Sequence, residues 1–347
     1  MRAWVVRQRW WATRVAMLPA HLLVFVVLTF VLVRAMPGDP VLVLLGQNYT
    51  PQAYAALQAD LGLAGSLPEQ LVGYVVNLVQ LDLGQSLMTG REVVAEFAQR
   101  LPGTLELAMC ALAISALVSC LVAYVVVLHP RNPVSATVRA YARAAGAIPE
   151  YVLAVAGLIV FYAALGWAPA PVGRLDIQIL PPPRVTGFPL LDAVLAGNVE
   201  AAGSIVSHLV LPVGVMVLAQ SALLIKLWVA GLEDAIDDPV TRFRVASGAS
   251  RAAVVLSVYR RAAPPVITMT GTLFGYLIGG AVVMEGLFGF NGMGQYAVDA
   301  VNSGDFIALQ GFLLVVAAMS LVVFLVVDIV NMLLDPRRRP GVRVEES

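Results

Sequence analysis

The chain has 347 residues, 59% of them hydrophobic and only 13% charged, with a mean hydropathy of +0.83. Several apolar runs of about eighteen residues or more exclude a soluble globular protein and indicate a polytopic, all-α membrane protein. The formal net charge is +0, and of the 22 basic residues all but Lys226 are arginines, segregated along the chain instead of gathered into a nucleic-acid-binding patch.

Arg2, Arg7, Arg9 and Arg14 precede the first apolar run, as in a signal peptide, but no small-residue cleavage site follows it, so it is expected to be a transmembrane helix. Six transmembrane helices are expected, at about 15–34, 105–128, 148–167, 205–230, 264–285 and 306–334. Pro149 breaks the third early, and the last is long enough to tilt or project beyond the bilayer. Cys110 and Cys120 share the second, about 15 Å apart along its axis, too far for a disulfide.

Segment 35–104 is expected to be a small helical insertion. Thr50-Pro51 starts a helix that stops at Gly62; 66–81 carries an apolar stripe of Leu71, Val72, Val75, Val76 and Val79; and 91–101 is a third unit. The stripe either packs on the ends of the spans or meets a partner protein. Segment 168–204 is proline-rich and expected to be mostly irregular, while 129–147 carries a basic helical stretch, VRAYARAAG.

With this order of spans, only Arg34, Arg91, Arg100, Arg174 and Arg184 fall in the segments on one side. Every other basic residue lies toward the opposite side, which the positive-inside rule makes cytoplasmic, together with both termini. Segment 35–104 is then on the outer face, and the polar interruption 232–263 lies in the cytoplasm. Within it, Asp238 caps a helix with Pro239 in its first turn, and Gly248 ends that helix. Ser250 caps a second helix, whose end at Arg260-Arg261 complements its dipole before Pro264. Val240, Phe243 and Ala246 form an apolar edge with Arg242 and Arg244 beside it.

A P-loop requires a lysine after a glycine-rich loop, and Lys226 follows QSALLI, so any ATP is bound by other subunits and no cofactor is expected here. His21, His129 and His208 share no metal-ligand spacing. ASGAS at 246–250 has no paired histidine to make it a protease site. Glu106, Lys226, Glu285 and Asp328 lie near the ends of spans and form no proton relay.

One ordered set of motifs runs through the chain: MPGDP at 36–40, LGL at 61–63, DLGQS at 82–86, LPGTLELA at 101–108, GGAVVMEGLFGFNGMGQYAVDAVNSGDFIALQG at 279–311 and DPRRR at 335–339. With these motifs the chain resembles the B-type inner-membrane permease subunit of dipeptide, oligopeptide and nickel ABC importers. The 232–263 stretch resembles that family's cytoplasmic coupling loop. It departs from the family in reading DPVTRFRVASG, without the usual tyrosine and lysine, in approaching the fifth span through APP, and in placing Asn291 where proline is common.

The resemblance implies a type I ABC importer permease fold in the bacterial cytoplasmic membrane. It implies as partners a second homologous permease, two cytoplasmic P-loop ATPase subunits and an extracytoplasmic solute-binding protein. A non-catalytic role follows, with a peptide as substrate; nickel or another small solute is the alternative, and an ion-coupled secondary transporter a more distant one. The coupling residues it points to are Asp238, Pro239, Val240, Arg242, Phe243, Arg244, Gly248, Ser250 and Arg251.

Overall fold

The structure, a computed structural model, describes residues 2–35, 39–144 and 146–334; positions 36–38 of MPGDP and the DPRRR motif lie outside them. The described residues are helical, with one isolated β-bridge between Gln85 and Glu92. Helix α1 (Arg2–Arg34) leads into three short helices, α2 (Pro40–Leu45), α3 (Pro51–Asp60) and α4 (Leu67–Val79). Then come α5 (Val93–Leu128), α6 (Pro133–Arg143) and α7 (Glu150–Gly157), the last continued by a π-helical stretch, Leu158–Ala164. Helices α8 (Pro189–Leu195), α9 (Val199–Asp237), α10 (Pro239–Ala246), α11 (Arg251–Leu287), α12 (Met293–Ser303) and α13 (Phe306–Leu334) complete the fold.

Side chains start these helices, at Thr50 and Ser66 where the sequence predicts and at Asn132 and Asn198 in addition. Thr50 accepts from the Ala53 N–H at 3.1 Å, and Ser66 and Glu69 form a reciprocal capping box. Asn132 caps α6 and Asn198 caps α9. Helix α9 is the centre of the bundle: 61% of its most apolar stretch is buried, against 11% in α13 and 17% in α1. One core cluster joins its first half to α5, α11 and Phe290; a second joins Leu224, Ile225, Trp228 and Leu232 to α5, α6 and α11. The bundle therefore has an α12 end and an α10 end.

Among the described residues, five helices are long and apolar enough to cross a membrane: Val15–Arg34, Val93–Leu128, Val199–Asp237, Arg251–Leu287 and Phe306–Leu334. The expected third span is shorter, with Glu150–Ala164 reaching only about 20 Å.

Other boundaries move for identifiable reasons. The unit expected at 91–101 is helical but is not separate; α5 runs through Pro102 to Leu128. Pro102 cannot donate to the Ala98 carbonyl four residues back, and Arg184 takes over that carbonyl and also bonds the Gln99 carbonyl at 2.9 Å. The helix expected to end at Arg260-Arg261 continues through Pro264 and Pro265 to Leu287, and α9 continues to Asp237, so the 232–263 stretch is α10 held between two long helices. Segment 168–204 is less irregular than expected, because it contains α8 and the first turns of α9. In the α4 stripe, Leu71 and Val75 are half-buried, while Val72, Val76 and Val79 stay exposed.

Candidate functional site

At the α10 end, Asp238 has extended backbone, and its carboxylate accepts from the Val240 N–H at 2.7 Å; Pro239 opens the helix. One face of α10 is fastened down. Buried Thr241 donates to the Ala235 carbonyl at 2.6 Å, closing α10 onto the end of α9. Arg261, on α11, ion-pairs with Asp238 at 2.9 Å, donates to the Ala235 carbonyl at 3.1 Å and bonds the Thr241 hydroxyl. The dipole role expected for Arg260 and Arg261 is therefore replaced: Arg261 is a clamp, and Arg260 bonds the Leu333 and Leu334 carbonyls at the end of α13.

The opposite face of α10 is open. Phe243 is 72% exposed, Val245 61% and Val240 42%, and Arg242, Arg244 and Ala246 are also exposed. Gly248 turns the chain with φ +76°, and Ser250 caps α11 by accepting from the Ala253 N–H at 3.3 Å, with Arg251 exposed as its first residue. The nine residues picked out by sequence are thus brought together, and the structure adds Thr241, Arg261 and Val245. The helix is rigidly seated yet presents an aromatic side chain to solvent, as a docking element requires.

At the α12 end, two of the motifs converge on one buried polar centre. Thr104 of LPGTLELA donates to Glu285 and accepts from the Met293 N–H at 2.9 Å. The other Glu285 oxygen accepts from the Gly294 N–H at 2.7 Å and the Gln295 N–H at 3.3 Å. A side chain at Gly292 would overlap the Glu285 carboxylate, which is why glycine stands there. Glu106 accepts from the Leu190 N–H at 2.8 Å and faces Arg174 at 3.9 Å. Arg174 lies over the Phe290 ring, 4.3 Å from its centroid. Burial lowers the Arg174 pKa, opposed by the charges of Glu285 and Glu106. DLGQS supplies a separate tie, in which Ser86 donates to buried Asp305 at 2.5 Å, and Asp305 caps α13 through the Ala308 N–H. Asn291, where proline is common in the resemblance, accepts from Arg100. Sequence reading left these charges without roles, since their partners lie as many as 219 residues away.

The sequence matches known proteins over nearly its whole length. Residues 115–340 match the family described as binding-protein-dependent transport system inner membrane component, and residues 7–108 match the N-terminal part of such components. The chain belongs to this family. It is 33% identical over 314 residues to the di/tripeptide transport system permease protein DppB of Pseudomonas aeruginosa, covering 90% of this chain and 93% of that one. It is also 33% identical to the probable D,D-dipeptide transport system permease protein DdpB of Escherichia coli, over 90% of this chain and 92% of the relative. Dipeptide permease DppB of Escherichia coli is 29% identical over 317 residues, 90% of this chain and 93% of that one.

The protein is therefore a non-catalytic, multi-pass permease component of the inner membrane, part of an ABC transport system that works with a binding protein and an ATPase. The first match spans α10 and both long helices that hold it.

Proposed function

We propose that this chain forms half of the translocation pathway of an ATP-driven importer for di- or oligopeptides, and that α10 is the helix through which separate ATPase subunits drive it. The relatives named for peptide transport support the substrate class. The observation that carries the coupling role is the pairing of a clamped inner face, Thr241 and Arg261, with an exposed Phe243.

In this reading the five long apolar helices and the shorter Glu150–Ala164 segment each cross once, with both termini cytoplasmic and the α2–α4 insertion outside. The short third crossing is supported by connectivity: α6 packs beside the second half of α9 and α8 beside its first half, so the chain between them traverses the bundle. The sidedness rests on the basic residues around α6, α10 and the start of α11. A second homologous permease completes the pathway, two P-loop ATPase subunits bind the ATP, and an extracytoplasmic binding protein delivers the solute.

ATPase closure presses on α10. The clamp transmits that displacement to α9 and α11 together, because Arg261 belongs to α11 while Ala235 belongs to α9. Two long helices then move as one body and expose the pathway to alternate sides. Phe243 is the anchor in a groove of the ATPase, and Arg242 and Arg244 meet acidic groups at its rim. The assembled complex carrying Phe243→Asp, reconstituted in proteoliposomes, is expected to insert normally and hydrolyse ATP without importing peptide. Import at the wild-type rate would overturn the coupling role.

A further inference from the structure

A cavity of about 340 Å³ opens between α7, α9 and α11, walled by Glu150, Gln220, Thr272 and Tyr276 among others. Gln220 and Thr272 lie near the midpoints of α9 and α11, which are 39 and 37 residues long, and Glu150 is the first residue of α7, so the cavity runs from mid-bundle toward the start of α7. Gln220 is 3% exposed, yet neither its Oε1 nor its Nε2 has a hydrogen-bond partner in the protein. The Oε1 of Glu150 is likewise buried and unpartnered. A carboxamide and a carboxyl group from two different helices, both orphaned on one cavity inside a membrane bundle, are strongly disfavoured unless something else satisfies them.

The face of α11 beside this cavity is unlike the lipid-facing surfaces of the other helices. Pro265, Thr268, Thr272, Tyr276, Gly279 and Val283 are exposed at three- and four-residue spacing, a stripe that is mostly small or polar. By contrast, α13 exposes Val322, Phe324, Val326 and Leu333, and α5 exposes Leu117, Leu121 and Val125. An aliphatic surface suits lipid; the α11 stripe suits a wet passage. The cavity therefore opens onto a face of the bundle that differs from its aliphatic, lipid-suited surfaces.

The orphaned groups also define what fits. A carboxamide offers one acceptor and one donor side by side, which pair reciprocally with a secondary amide. A carboxylate without a protein cation suits a cationic donor. We propose that Glu150 and Gln220 form a subsite within the translocation pathway that receives the free amine of a peptide and its adjoining amide. The proposal rests on the peptide-import reading above and adds where, and by which groups, the solute is held in transit.

The test uses the assembled transporter in proteoliposomes, with Cys110→Ala and Cys120→Ala removing the native thiols and Thr272→Cys as a reporter on the cavity wall. Methanethiosulfonate carrying an ethylammonium group is expected to label the reporter about tenfold faster than its ethylsulfonate counterpart, the effect of one nearby negative charge. Glu150→Gln is expected to bring the two rates together. No labelling, or equal rates with Glu150 intact, overturns the subsite. With the binding protein present, dialanine is expected to protect the reporter and N-acetyl-dialanine to leave it open, with protection lost in Gln220→Leu. Dialanine uptake without protection overturns the subsite alone. Absence of dialanine uptake by the wild-type complex overturns the peptide reading, and the two labelling rates still report on the charge at Glu150.

Discussion

Arg261 of α11 meets Asp238, the residue that caps α10, at 2.9 Å, and the same guanidinium reaches the Ala235 carbonyl at the end of α9. One side chain thus joins three helices at the base of the proposed coupling helix. The ion pair is partly solvated and on its own stabilises by at most about 1 kcal/mol. Its importance is geometric, because it fixes the angle at which α10 leaves the bundle.

Arg261→Lys is therefore expected to uncouple transport. Lysine retains the charge but lacks the planar fork that serves several acceptors at once. ATP hydrolysis by the assembled complex should persist, while peptide imported per ATP falls about tenfold, equivalent to a loss of roughly 1.4 kcal/mol in coupling. Thr241→Val should have the same effect and in addition destabilise the complex by roughly 0.5–1.5 kcal/mol, because it removes one of the two donors to the Ala235 carbonyl and leaves Arg261 as the other. Uptake and phosphate release measured on the same vesicles separate these effects.

Gly248 is the other fixed point of the elbow. Its φ is +76°, and no atom lies within 4 Å of where a Cβ would sit, so conformation and not space demands glycine there. Gly248→Ala is expected to cost about 1–2 kcal/mol, and Gly248→Asn less, because asparagine tolerates the left-handed region. Gly248→Trp should impair coupling most, by placing bulk beside the docking face. Thermal inactivation of the solubilised complex ranks the first two, and uptake per ATP identifies the third.

The contrast between these two residues marks what the sequence could tell. Local devices were legible: the Asp238 and Ser250 caps, the Gly248 turn and the start of α13 at Phe306 all follow from neighbours within a few residues. Arg261 was read as complementing a helix end, because nothing nearby shows that α11 continues through Pro264 and Pro265. The unit at 91–101 looks separate from the following span in the sequence, although α5 runs unbroken through Pro102; the group that satisfies the freed carbonyl, Arg184, lies 86 residues beyond Ala98. Glu150 passed unnoticed because its exceptional feature is the absence of a partner, which only the packing of α7 on α9 reveals. Sequence therefore conveyed the long helices and several caps, and tertiary packing determined which charges act together.

Close helix contacts give a third prediction. A Cβ on Gly271 of α11 would come within 2.5 Å of the Val327 Cγ2 of α13, and Val327 has no flexible end to move aside. Packing of this kind holds helices together in lipid, where burial of apolar surface gives little driving force. Gly271→Ala is expected to destabilise the complex by roughly 1–3 kcal/mol, and Gly271→Ala with Val327→Ala to recover most of that loss. Thermal inactivation of the four combinations tests the contact, since additive effects would mean that these residues do not touch in the working protein.

The centre at the α12 end yields the strongest non-additivity. Arg174 is 14% exposed and faces Glu106, which is 7% exposed, with Glu285 contributing further negative charge. Replacing the arginine alone, Arg174→Met, strands buried carboxylates and is expected to cost roughly 3–5 kcal/mol. Glu106→Gln alone should cost less, because the glutamine carbonyl can still accept from the Leu190 N–H that now meets the carboxylate. Combining the two removes cation and anion together, so the double variant should be more stable than Arg174→Met by more than about 1 kcal/mol. Glu285 should tolerate this exchange, since Thr104, Gly294 and Gln295 already supply donors to its oxygens. Thermal inactivation of the wild type, the two single variants and the double variant completes the cycle. A double variant no better than Arg174→Met would show that the arginine is held by Phe290 and its packing, with Glu106 serving only to anchor α8.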